Sequence, residues 1–190
     1  MKRMTRERFL SDAELEAFMG AVRARQEHRN HARDYAMFAL LATSGIRPSE
    51  ALRLTRTDVH PHGSPPWIRV SRLKKKNASK VVDELQLPES LARVIGSYLE
   101  TREWQPDDRI FWMTRRQAQR LFQWYAQRAG IKGRRLYVLR HTAATRIYRA
   151  TRDIKVVQAL LGHESPETSA IYAHVPQAVL KEAAELSAVI

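Results

Sequence analysis

Three residue types that can act on a phosphodiester recur near the end of the chain. Arg140 lies in the segment 139–142, His163 follows a leucine and a glycine, and Tyr172 comes nine residues after that histidine. A guanidinium binds two phosphate oxygens through a rigid fork and keeps its charge at any working pH. A tyrosine that attacks phosphorus stores the broken linkage as a phosphotyrosine ester, and a histidine can exchange protons near neutrality. The spacing therefore predicts phosphoryl transfer.

Arg47 is a second arginine that could bind the same phosphate. It lies between Gly45, which suits the left-handed end of one helix, and Pro48, which suits the first turn of the next. Glu50 follows three residues later, near enough on a helix to orient the arginine. Two such arginines, Arg47 and Arg140, could clamp a phosphate where negative charge grows during transfer.

Three consecutive lysines, Lys74, Lys75 and Lys76, lie in the turn expected between a strand at 67–73 and a return strand at 81–87. A lysine here could protonate the leaving 5′ oxygen if its pKa were drawn down near the active centre. The surrounding stretch is basic and has no acidic residue, so simple attraction of phosphates is the competing interpretation.

The composition limits which binding partners and which classes of protein are possible. The 190 residues include 33 Lys and Arg against 20 Asp and Glu, a formal charge of +13, which favours a polyanion and nucleic acid before acidic lipid. No run of about 18 apolar residues could span a bilayer, and the basic start is not followed by the apolar region of a signal peptide. A cytoplasmic, nucleoid-associated protein without membrane contact is predicted. The absence of cysteine excludes disulfides and thiolate metal sites, and neither a metal nor a cofactor is predicted.

Other basic residues are predicted to follow the backbone of double-stranded DNA, giving affinity that falls steeply with salt and little sequence reading. Any one arginine among so many, taken alone, is more simply a backbone contact or a surface ion pair. The predicted DNA contacts are Arg72, Lys75, Lys76, Arg115, Arg116, Arg120, Arg134 and Arg135.

In their order along the chain, these residues resemble the catalytic domain of the tyrosine recombinases, the family of phage integrases and Xer-type recombinases. In that family a G-[LI]-R-x-[ST]-E segment carries the first arginine, and a β-hairpin carries a lysine. An H-x-L-R-H-T segment carries the second arginine, L-G-H the histidine, and a later tyrosine is the nucleophile. The resemblance assigns these roles to Arg47, one of the three lysines, Arg140, His163 and Tyr172.

The match to the family motifs is less direct at two positions. Lys74 is favoured as the catalytic lysine because Arg72-Leu73-Lys74 resembles the R-L-K approach of recombinases that invert fimbrial promoter segments. The first histidine of H-x-L-R-H-T is Tyr137 here. A phenol can donate a hydrogen bond to a phosphate oxygen, but with a pKa of about 10 it cannot exchange protons near neutrality. Tyr137 is therefore predicted to be a phosphate ligand, and a packing aromatic is the alternative.

The patterns along the chain predict a mainly α fold of the α+β type, helical with one small antiparallel sheet. Capping residues at Ser11 and Thr114 mark helix starts, and 60–66 is predicted to be a polar loop. Residues 1–190 are expected to form a single catalytic domain, without the N-terminal clamp domain that many family members carry. The apolar stripe of 176–190 is expected to dock on a neighbouring copy.

The function implied by the resemblance is site-specific recombination or integration. DNA strands would be cleaved and rejoined through a covalent 3′-phosphotyrosyl intermediate, by a dimer or tetramer assembled on DNA. Two alternatives stay open at this point. One is a nicking and closing enzyme similar to type IB topoisomerases, and the other is a noncatalytic DNA-binding regulator on the same fold.

Overall fold

A computed structural model describes residues 9–73, 80–161, 177–186 and 188. Over this part of the chain the fold is helical with one small antiparallel sheet, as predicted, and no helix there is long and apolar enough to cross a membrane. The helices are α1 (Asp12–Arg23), α2 (His31–Ser44), α3 (Pro48–Ala51), α4 (Glu89–Leu99), α5 (Arg115–Arg128), α6 (Val138–Thr151), α7 (Ile154–Leu161) and α8 (Gln177–Leu186). The strands are β1 (Val59–His60), β2 (Trp67–Leu73) and β3 (Lys80–Gln86).

Helix starts follow the predicted capping residues. The Ser11 hydroxyl accepts a hydrogen bond from the Glu14 amide at 3.2 Å, and the Glu14 carboxylate accepts one from the Ser11 amide at 2.7 Å. Thr114 and Gln117 form the same reciprocal pair at the start of α5. Each pair satisfies amide groups that have no partner inside the helix, which fixes where α1 and α5 begin.

The sheet has the order β1-β2-β3, and all of its strands are antiparallel. The predicted hairpin of β2 and β3 is confirmed, with Ile68 opposite Leu85 and Leu73 opposite Lys80. The interpretation of position 60 as loop was wrong, because Val59 and His60 pair with the first two residues of β2. A strand of two residues carries too short an alternation to be seen in sequence.

The hydrophobic core of the described residues is centred on α2, whose residues from Ala36 to Ala42 are all buried. The rings of Phe18, Phe38, Phe122 and Tyr125 contact one another with centroids 5.1 to 6.4 Å apart, which joins α1, α2 and α5. A helix packed on several sides has little freedom to move. The carboxyl end of α2, where the predicted arginine segment begins, is therefore held rigidly.

The helix α8 packs on its own chain, against α6, α7 and β3, with Ala183 only 1% exposed. Its Glu185 carboxylate accepts a hydrogen bond from the Glu89 amide at 3.1 Å, and Arg146 donates to the Ala188 carbonyl at 3.3 Å. The expectation that this segment docks on a neighbouring copy stays a prediction, because the structure holds a single chain. Ala183 of the apolar stripe is covered by its own chain, whereas Val179 is 38% exposed and Leu186 61% exposed.

Candidate active site

The ends of four elements meet on one side of the domain: the carboxyl end of α2, the start of α3, the first turn of α6 and the carboxyl end of α7. Arg47 lies at the start of α3 and Arg140 lies in α6. The two predicted clamp residues are 93 positions apart in sequence. Their approach therefore depends on how α2, α6 and α7 pack.

Arg47 is held by the carboxylate that follows it on α3. Its guanidinium Nη1 lies 2.7 Å from Glu50 Oε1, and its backbone amide donates to Glu50 Oε2 at 2.7 Å. Glu50 is 5% exposed and the Arg47 side chain 32% exposed, so the carboxylate is inside and the guanidinium faces outward. A partly buried, bidentate carboxylate fixes an arginine more firmly than a surface ion pair does. This is the orienting role predicted for Glu50.

Arg140 is almost completely buried, at 4% exposure. Its Nη1 donates to the Gly45 carbonyl at 2.7 Å and its Nη2 to the Leu161 carbonyl at 2.9 Å. Burial lowers the pKa of the Arg140 guanidinium below its ordinary value, and the charges of Arg47 and Arg72 act in the same direction. A buried cation near two other cations favours binding of an anion, which would offset their mutual repulsion.

Gly45 explains how α2, α6 and α7 come so close together. Its φ of 64° is in the left-handed region, and a Cβ at this position would collide with the Leu161 side chain and lie 3.0 Å from the Ala143 Cβ. Its amide donates to the Leu41 carbonyl and closes α2. Only glycine allows the backbone to turn here and still present its carbonyl to Arg140.

Tyr137 lies immediately before α6 and is 42% exposed, with its ring edge-on to His141 at a centroid distance of 5.2 Å. The Tyr137 ring is thus partly open to solvent and partly covered. The phenol lines an open cavity of about 350 Å³ together with the outward-facing Arg47. Other residues that line this cavity are Ser49, Arg115, Gln119 and Arg135.

Most of the described basic residues that were predicted to contact DNA are accessible to solvent. Arg115, Arg116 and Arg120 on α5 are exposed, as is Arg135, and Arg134 is half-buried. Arg134 and Arg135 also line a second open cavity, of about 500 Å³, beside the end of α5. Arg115 and Arg135 line the same cavity as Arg47, so positive charge is concentrated around it. Gln119, which was not singled out from the sequence, lies among them and accepts a hydrogen bond from the Leu136 amide at 3.0 Å.

Arg72 is placed differently from its predicted role as a backbone contact. Its side chain is 3% exposed, and Nε lies 2.7 Å from Asp83 Oδ2 on the neighbouring strand. Along β2, Ile68, Val70 and Arg72 face inward while Arg69 points outward. That alternation was present in the sequence and could have shown that Arg72 faces the interior.

Five predicted residues lie outside the described part of the chain: Lys74, Lys75, Lys76, His163 and Tyr172. The described chain reaches Leu73 and Leu161, the residues directly before Lys74 and Gly162. Among the described residues, no group of three or more histidines and carboxylates could hold a metal ion. The described site is an open recess lined by three arginines, Arg47, Arg115 and Arg135, and by the Tyr137 phenol.

Comparison with known proteins shows the family and the fold of the chain. The sequence profile of the phage integrase family matches residues 8–178. Tyrosine recombinase XerH of Campylobacter jejuni is 28% identical over 187 residues, covering 94% of this chain and 51% of that protein. Tyrosine recombinase XerD of Yersinia pestis is 35% identical over 163 residues, covering 79% of this chain and 52% of that protein. The chain therefore spans about half the length of these relatives.

The fold also matches a solved structure, the XerH site-specific recombinase bound to its difH substrate in a pre-cleavage complex. The TM-score is 0.66 at 24% identity, with 88% of this chain and 50% of that chain covered, so this likeness shows the fold. Because the profile covers most of its length, the chain belongs to the phage integrase family of tyrosine recombinases.

Proposed function

We propose that the chain is a site-specific DNA recombinase or integrase that cleaves and rejoins strands through a covalent 3′-phosphotyrosyl intermediate. The observation that carries the proposal is the placement of Arg47 and Arg140. Arg140 is fixed by two carbonyls, one of them that of Gly45, two residues before Arg47, and Arg47 is fixed by the buried carboxylate of Glu50. An oxyanion that gains charge in transfer is stabilised by donors already fixed in place.

The clamp is compatible with phosphate binding. A guanidinium has more N–H groups than the two carbonyls of Gly45 and Leu161 use, so Arg140 can still donate to a phosphate. Arg47 and Tyr137 line one cavity, and in this proposal both donate to that phosphate from the open side. These contacts neutralise charge on the nonbridging oxygens as the nucleophile approaches.

The remaining steps fall to residues outside the described part of the chain. In the proposed reaction the Tyr172 oxygen attacks phosphorus and the bond to the 5′ oxygen breaks, leaving the phosphate esterified to tyrosine. His163 contacts the phosphate or accepts the phenol proton, and Lys74 gives a proton to the leaving 5′ oxygen. The ester retains the energy of the broken linkage, so rejoining needs no nucleotide cofactor.

We also propose that a dimer or tetramer assembles on double-stranded DNA in the nucleoid. The XerH relative is described as bound to a DNA substrate, and other integrase structures with this fold are dimers on core-site DNA. The exposed arginines of α5 supply the electrostatic attraction to the duplex in this proposal.

The test uses nicked suicide duplexes tiled across the DNA that flanks the coding sequence. Cleavage beside the nick releases a short fragment, so religation fails and the protein stays attached to a 3′ phosphate. The proposal predicts a slowly migrating protein-DNA band with one duplex of the tiled set and with few of the others. Relaxation of supercoiled DNA without such a site would favour the topoisomerase alternative, and binding without any adduct would favour the regulator.

A further inference from the structure

Arg72 is a charged side chain in an apolar position. It is the last inward-facing residue of β2, after Ile68 and Val70, and is 2% exposed. Transfer of a guanidinium from water to such a position is costly unless the charge is paired and its N–H groups are used. The contacts of Arg72 should therefore show what it does.

These contacts join two separate parts of the site. Nε lies 2.7 Å from Asp83 Oδ2 on β3, and Nη2 reaches the Leu160 carbonyl at the end of α7, at 3.5 Å. Asp83 lies opposite Val70 in the hairpin, so the ion pair runs diagonally between the strands. One guanidinium thus connects the hairpin to α7.

The end of α7 receives a second guanidinium. Arg140 donates to the carbonyl of Leu161, directly after Leu160. The last carbonyl groups of a helix have no partner inside it, and they form the negative end of its dipole. Arg140 satisfies one of these groups at 2.9 Å and Arg72 lies against another at 3.5 Å, and each arginine sits beside a segment that leads to a predicted proton-transfer residue.

We propose that Arg72 is a positioning residue for strand cleavage. It ties the end of the β2-β3 hairpin, from which the chain continues into Lys74, to the end of α7, from which it continues into Gly162 and His163. The tie fixes the described end of β2 relative to the phosphate clamp, and through it the point at which the chain enters Lys74. This inference rests on the proposed function and replaces the role of Arg72 as a DNA-backbone contact.

The test compares Arg72→Met with wild type on two versions of the suicide duplex that gives the adduct. One has the ordinary phosphodiester, and the other has sulfur in place of the leaving 5′ oxygen, which leaves without a proton donor. A misplaced lysine should slow cleavage of the ordinary duplex by about a hundredfold, the scale of a small misplacement in an active site. On the sulfur duplex the variant should come within a few-fold of wild type, and its DNA affinity should change less than twofold.

The controls separate positioning from other roles. Arg102→Met removes a solvent-exposed ion pair with Asp108, at 3.0 Å, far along the sequence from the site, and should leave both rates unchanged. Arg72→Lys keeps the charge but not the fork, so partial activity is expected, about tenfold below wild type. Asp83→Asn should show the same selective loss more weakly, and because Asp83 is 38% exposed it tests the proposal even where Arg72→Met folds poorly.

Each outcome decides the proposal. Equal slowing of Arg72→Met on both duplexes, with Asp83→Asn behaving alike, would overturn it in favour of a purely structural or phosphate-binding role. Unchanged rates in both variants would overturn it as well. If wild-type protein forms no adduct with any duplex, the proposed function fails first, and this inference fails with it.

Discussion

Replacement of Gly45 by alanine should destabilise the protein through two separable effects. An alanine at φ 64° costs about 1 to 2 kcal/mol, because its Cβ crowds the carbonyl in the left-handed region. The same Cβ would collide with the Leu161 side chain and press on the Ala143 Cβ at 3.0 Å, and crowding of a packed core costs a further 1 to 3 kcal/mol, roughly. Gly45→Ala should therefore lower the free energy of unfolding by about 2 to 5 kcal/mol.

Two other glycines provide matched controls. Gly130 has a φ of 73° and open space where a Cβ would lie, so Gly130→Ala should show the backbone cost alone, about 1 to 2 kcal/mol. Gly20 lies inside α1 with open space around it, and Gly20→Ala should stabilise by about 0.5 to 1 kcal/mol. Urea unfolding followed by circular dichroism gives all three values. A loss at Gly45 no larger than that at Gly130 would refute the close contact between the end of α2 and α7.

Three further predictions concern the chemistry. Tyr137→Phe should lower cleavage about ten- to a hundredfold, the scale of one lost hydrogen bond to a charged group, while Tyr137→His keeps activity; full activity of the phenylalanine variant in an adduct assay would establish packing instead. Lys74→Ala should be slow on ordinary DNA and recover on the sulfur duplex; recovery by Lys75→Ala or Lys76→Ala in its place would reassign the acid. Arg116→Ala and Arg120→Ala should each reduce the slope of log affinity against log salt by about 0.9, and unchanged slopes would remove these residues from the DNA face.

Much of the fold was predictable because local signals are strong where the backbone needs a particular residue. The hydroxyls of Ser11 and Thr114 cap α1 and α5 as their spacing indicated, and Gly45 ends α2 in the left-handed region. The alternation of residues 67–73 gave β2 with its observed bounds. β1 was not predicted, because two residues are too few to show a periodicity. Its pairing with β2 also depends on contacts between separate segments of the chain.

The sequence predicted which residues form the site better than it predicted what those residues contact. The motifs singled out Arg47 and Arg140, but the carbonyls that hold Arg140 come from Gly45 and Leu161, and backbone acceptors leave no signature in side-chain types. Arg72 was interpreted by charge, and its period-two position, which predicts burial, was overlooked. An apolar stripe such as that of α8 predicts that a helix face is buried, but it does not predict which chain covers that face.

The central claim is that a phosphotyrosyl bond forms at Tyr172, and one pair of measurements tests it most directly. Wild type and Tyr172→Phe are incubated with the nicked suicide duplex, equilibrium binding is measured on the same DNA, and the attached peptide is mapped by mass spectrometry after digestion. Wild type should give an adduct that maps to Tyr172. Tyr172→Phe keeps the ring and loses the attacking oxygen, so it should bind within about twofold of wild type and form no adduct. An adduct that persists in Tyr172→Phe, or that maps to another residue, would contradict the account.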